Sequence, residues 1–168
     1  MLLALPEPYD FALSTERFRV FGVDRANLWH VTPEGRGGLH RVVGGREVRI
    51  EAAPGGVDVK PWSAAIEAEV RTLLGAPFDL AGFAAFAAGD EVLGRLAAGL
   101  AGYRPPLAPH PFESLVTSIT AQQVSLQSAS AIRSRLIERF GESAEHAIAF
   151  PTRERLALAT EAELVAVG

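Results

Sequence analysis

The segment Tyr103-Arg-Pro-Pro-Leu-Ala-Pro-His-Pro111 holds four prolines in nine residues. Proline lacks the backbone donor that helices and inner strands use, so this stretch is stiff and non-helical. It separates two differently patterned halves. We place domain boundaries there: an α+β unit over 1–104, a Pro-rich linker over 105–110 and the start of an all-helical part over 111–168.

The first sixty residues read as short β-prone runs: Phe18–Phe21, Leu28–Thr32, Leu39–Val43, Val48–Ala52 and Val57–Val59. Turn signals separate them at Pro33-Glu34-Gly35, Gly37-Gly38, Gly44-Gly45 and Pro54-Gly55-Gly56. Val48 and Ile50 alternate with Arg49 and Glu51, as a strand with one face on a core requires. Such short connections predict an antiparallel meander. After Trp62 the period becomes helical: Ile66, Val70, Leu73 and Leu74 share a face able to cover that sheet, and Gly75 stops the helix. Asp90 caps a further helix carrying Leu93, Leu96 and Leu100, with Gly102 as its terminator.

Beyond the prolines, Pro111 suits a first helical position and Glu113 a first turn. Phe112, Leu115, Val116 and Ile119 form one stripe, whereas Ala129, Ile132, Leu136 and Phe140 form another rotated by roughly 100°. A break over Gln122–Ser125 reconciles them, with Ser125 as N-cap of the second helix. Thr152 caps a short helix, and Thr160 to Glu163 has capping-box form. A helical part of about 58 residues lies near the lower limit for a separate fold. We therefore expect it to be incomplete, with Phe112, Leu115, Ile119, Ile132 and Phe140 partly exposed.

Formal net charge is −4, with 11 basic against 13 acidic residues up to Arg104 and 5 against 7 after it. Charge alone thus gives no nucleic-acid footprint. No apolar run reaches the roughly 18 residues of a membrane helix, and the N-terminus lacks a basic signal-peptide start. No phosphate loop or nucleophile elbow occurs, and His30, His40, His110 and His146 lack metal-ligand spacing. Capping or turn roles account for Asp10, Asp79 and Asp90. The corner Gln122, Gln123, Val124, Ser125 is the one informative site. Its glutamines either cap helix ends beside a solvated arginine face, or form a polar wedge beside a basic helix carrying Arg133, Arg135 and Arg139.

The phrase PFESLVTSITAQQVSLQSA resembles the opening helices of the helix-hairpin-helix DNA glycosylase superfamily, in the branch of DNA-3-methyladenine glycosylase II. PYDFALS, GDEVLGRLAAGLAGYRPPLAPHPFE and FPTRERLALATEAELVAVG are similar to that branch in order and spacing. The resemblance implies an α+β N-terminal domain shaped like a TATA-binding-protein repeat, followed by a helical domain. It implies an enzyme that flips an alkylated purine from damaged double-stranded DNA and hydrolyses its N-glycosidic bond. Gln122, Gln123, Val124 and Ser125 map onto the wedge that fills the vacated space. Relatives in the branch often carry leucine at the position matching Gln123. The family's Gly-x-Gly hairpin and catalytic Asp are absent from residues 1–168, so the chain alone is expected to be inactive. No cofactor is implied, and the expected setting is a monomer at the nucleoid in the cytoplasm. An oxidised-purine glycosylase and a non-catalytic DNA-binding or interaction module stay open as alternatives.

Overall fold

A computed structural model describes residues 1–168. Five strands, β1 (Leu2–Ala4), β2 (Leu28–Val31), β3 (Gly37–Val43), β4 (Arg46–Ala53) and β5 (Gly56–Lys60), form one antiparallel sheet in the order β1-β5-β4-β3-β2. The expected meander is β2 to β5, and β1 adds to the far edge by pairing Leu3 with Val57. Leu39, Val48, Ile50, Val57 and Val59 are fully buried beneath helix α3 (Ala64–Leu73) and join its Ile66, Val70 and Leu73 in one core. Each such buried side chain contributes roughly 1.5–3 kcal/mol by leaving water. Ser63 caps α3 through the Ile66 amide, and Gly75 (φ 69) turns the chain at its end.

Two local expectations are corrected. Phe18–Phe21 is not a strand: Asp10 caps helix α1 (Phe11–Thr15), and Arg17–Val20 follows as helix α2. Phe18 thereby reaches the core from a helical turn, which a four-residue β-prone run does not exclude. Gly37-Gly38 is no turn but the start of β3, pairing with Val31 and His30. The actual turn spans Thr32 to Arg36, closed by the Thr32 amide on the Arg36 carbonyl, with Gly35 at φ 79. Helix α4 (Leu80–Ala87), capped by Asp79, was not anticipated. Helix α5 (Glu91–Gly99) starts on Asp90 as expected, with Gly102 bending the chain just beyond it.

The prolines run through a pinned path. The Asp10 amide donates to the Gly102 carbonyl, the Arg104 amide to Ser14 Oγ and the Leu107 amide to the Leu73 carbonyl. Helices α6 (Pro111–Thr120), α7 (Leu126–Phe140), α8 (Arg153–Ala157) and α9 (Glu161–Val165) follow. Thr152 caps α8, and a capping box at Thr160 opens α9. Leu115 and Ile119 stand 58% and 55% exposed, and Phe112 is half-buried against Phe150. Ile132 and Phe140, expected to be partly exposed, are only 9% and 3% exposed. Phe140 packs with Leu136 and Val167, because α8 and α9 fold back over the end of α7.

Candidate nucleic-acid interface

The corner between α6 and α7 is built from two capping events. The last amides of α6 close onto Thr117 and Ile119 through Ala121 and Gln122. Gln123 then takes φ 60, the only non-glycine residue of the chain at positive φ. An L side chain costs roughly 1–2 kcal/mol in that left-handed region. Ser125 (ψ 159) restarts helical structure, its Oγ accepting the Ser128 amide at 3.1 Å. Gln122, Gln123, Val124 and Ser125 are all exposed, as is Leu126, so the corner is a protrusion of two amides flanked by apolar side chains. Sequence reasoning placed this break and its N-cap correctly. The left-handed turn at Gln123 carried no glycine or asparagine signal.

Arg133, Arg135 and Arg139 do not form the free basic face expected beside the corner. Arg133 Nη1 donates to Thr117 Oγ1 at 2.7 Å and Nη2 to Glu113 Oε1 at 2.8 Å, and its guanidinium lies 5.0 Å over the Phe150 ring. Arg135 Nε donates to the Val167 carbonyl, and Arg139 Nη2 to Glu163. Each is hydrogen-bonded within the helical part, Arg133 from a largely buried position and Arg135 and Arg139 from exposed ones.

Arg133 belongs to a brace behind the corner. Arg41, buried on β3, donates to Asn27 Oδ1 (2.8 Å), Glu69 Oε1 (2.9 Å) and Glu113 Oε2 (2.7 Å). Glu113 thus bridges a guanidinium of the sheet and one of α7. Asp24 stands 3.5 Å from Arg133 Nε and accepts the Ala26 and Asn27 amides. Burial alone would raise the Glu113 carboxyl, but the charges and hydrogen bonds of Arg41 and Arg133 outweigh it and hold the group below its ordinary range. Asp24 is held low in the same way, burial being overcome by Arg133 and the Asn27 contacts. Buried charges persist only when paired and hydrogen-bonded like this. Both helices flanking the corner are therefore anchored: α6 through Glu113 and α7 through Arg133. A signal for Arg41 did exist, since it shares strand parity with Leu39 and Val43 and must face the core.

Asp10, Asp79 and Asp90 serve as N-caps, accepting the amides of Leu13, Gly82 and both Val92 and Leu93. Among groups able to hold a metal, His40, Glu47 and His146 come together despite their sequence separation. No helix is long and apolar enough to cross a membrane.

No family model matches the chain, and no curated protein matches it in sequence. Solved structures do. A 3-methyladenine DNA glycosylase from Archaeoglobus fulgidus superposes on 100% of the chain with a TM-score of 0.79 and 21% identity. MBOgg1, solved with a low-affinity DNA ligand, gives 0.72 over 95% at 16% identity. The apo 8-oxoguanine glycosylase/lyase of Clostridium acetobutylicum gives 0.69 over 95%, also at 16%. The chain spans 61%, 54% and 54% of those three chains respectively. Over that shared length it has their α+β fold.

Proposed function

We propose that the chain is the leading portion of a helix-hairpin-helix DNA glycosylase that removes alkylated purines of the 3-methyladenine type from damaged double-stranded DNA. The reading rests on one observation above all: the exposed Gln122–Gln123 corner, turned through a left-handed residue and braced from behind on both flanking helices. Extruding a base costs a few kcal/mol of stacking and pairing, and a wedge recovers it only if it does not yield. The Arg41–Glu113–Arg133 brace supplies that stiffness. Gln123 offers amide hydrogen bonds to the orphaned partner base, with Val124 and Leu126 as apolar flanks for the stack.

The alkylated-purine specificity is favoured by the fuller superposition on the Archaeoglobus enzyme than on the 8-oxoguanine glycosylase/lyase. In the reaction, water adds to C1′ of the sugar and gives up a proton to solvent, while the electron pair of the breaking C1′–N bond leaves with the cationic alkylated purine, which departs neutral. None of residues 1–168 is assigned the carboxylate that stabilises the positive charge developing on the sugar. The brace and wedge position DNA for it. We propose a monomer that needs no cofactor and works at the nucleoid of the cytoplasm.

The test is base release from methylated duplex DNA by the protein as expressed from its own gene. Release of 3-methyladenine is the expected result. Release of 8-oxoguanine instead favours the oxidised-purine enzyme. Absence of any release, together with unchanged abasic-site binding by Gln123→Ala, removes both the glycosylase reading and the wedge.

A further inference from the structure

Three imidazoles cluster on the sheet face opposite the core. His30 on β2 and His40 on β3 have ring centroids 4.4 Å apart, and His146, from the loop after α7, stacks on His40 at 4.3 Å. Glu47 on β4 meets two of them with a single oxygen: its Oε1 is 2.7 Å from His40 Nδ1 and 2.8 Å from His146 Nδ1. Its other oxygen accepts the backbone amides of His146 (2.7 Å) and Ala147 (3.1 Å), which fixes the carboxylate plane. The donor atoms of His40, Glu47 and His146 all lie within 4.8 Å of one another.

We propose that His40, Glu47 and His146 bind a divalent ion of the zinc type, which ties the 141–150 loop to the sheet. Two imidazole nitrogens and one carboxylate oxygen are the ligands of borderline ions, whereas magnesium and calcium take oxygen alone. Zinc at about 2.0–2.1 Å from each ligand sets tetrahedral neighbours about 3.3 Å apart. The observed contacts to Glu47 are those of hydrogen bonds and open by about half an ångström to reach that spacing, while the stacked His40 and His146 rings turn to aim both Nδ1 atoms, within 4.8 Å of each other, at one ion. The amides on Oε2 are the outer partners that orient a metal-binding carboxylate. His146 is exposed, leaving the fourth position to water. Ligation through Nδ1 places the ring proton of each histidine on Nε2. The ion would join residues 99 positions apart. It is independent of the DNA-directed function proposed above.

The experiment is titration of the chelator-treated 168-residue protein with Zn²⁺, and with Co²⁺ as a spectroscopic probe, in the absence of DNA. Expected are one ion per chain, a tetrahedral Co²⁺ absorption band and a raised melting temperature with Zn²⁺. His40→Ala, His146→Ala and Glu47→Gln should each weaken binding about tenfold or more. His110→Ala, at an exposed histidine beside Glu69, should not change it. Should a variant fail to fold, the imidazole ¹⁵N resonances of the unaltered protein decide: Nδ1 of His40 and His146 shifts with Zn²⁺, and His110 does not. Binding that His40→Ala and His146→Ala leave unchanged, unshifted Nδ1 resonances, or no binding at about 1 mM Zn²⁺ overturns the assignment.

Discussion

Arg41 on β3 donates through Nη2 to Oε2 of Glu113 on α6 over 2.7 Å, joining sheet and helix across 72 residues of chain. Both side chains are only 4% exposed. Because Oε1 of the same carboxylate accepts Arg133, one glutamate sets the position of α6 and α7 together.

Glu113→Ala leaves two guanidinium groups short of a partner in the interior, and removal of one member of a buried ion pair costs roughly 3–5 kcal/mol. Urea denaturation should show a loss of that order. A loss under about 1 kcal/mol would mean that Glu69, Asn27 and Asp24 suffice to hold the two arginines.

Acid should weaken the same brace. Glu113 and Asp24 have folded-state pKa values below their unfolded ones, so their contribution is complete above the unfolded value near 4.5 for Glu and 3.8 for Asp and disappears as pH falls through the folded values. Urea midpoints measured from pH 7 downward should decline once pH drops below the ordinary carboxylate range. Glu113→Gln should show a shallower decline than the unaltered protein.

At Gln123 the backbone and the side chain pull in opposite directions. Glycine at φ 60 removes the left-handed cost, so Gln123→Gly should stabilise the chain by about 0.5–1 kcal/mol. The same change should weaken binding to duplex DNA containing an abasic site. Paired melting and fluorescence-anisotropy measurements separate the two effects. Stabilisation without loss of binding would remove the side chain from the wedge.

Gly38 faces the His30 ring, where an added Cβ would stand 2.5 Å from Cε1. The ring is its direct cross-strand neighbour and lies tilted against His40. Gly38→Ala should displace His30 and cost about 1–3 kcal/mol by overpacking. Its signature is a change in the His40 ring-proton shifts beside a lowered melting temperature.

Phe140 and Leu115 test where the helical part keeps its core. Phe140→Ala removes a ring packed on Leu136 and Val167 and should cost about 3–5 kcal/mol. Leu115→Ser changes an exposed side chain and should stay within about 0.5 kcal/mol. Equal effects would contradict the burial difference between the two helices.

The features legible in the chain are those that act over one to four residues. Asp90, Ser125, Thr152 and Thr160 announce their helices because a cap bonds an amide two or three positions on. The change of stripe between Ile119 and Ile132 reveals the corner because a helix shows one face per 3.6 residues. Where a local signal served two structures, tertiary packing chose. Phe18 went into a helical turn to reach the core, and Gly37-Gly38 became strand because β2 lay ready to pair with it.

The site divides along the same line. The protruding glutamines could be placed from the sequence by itself, since phase and capping are local. The partners that stiffen them could not. Glu113 reads as an ordinary first-turn acid and Arg133 as a solvated base until folding brings them together from 20 residues apart and sets Arg41 against the other oxygen of Glu113. His146 likewise finds Glu47 only because the loop after α7 folds back onto the sheet. A side chain's own neighbours in the chain limit its conformation, but its charge partners are chosen by which surfaces the core brings into contact.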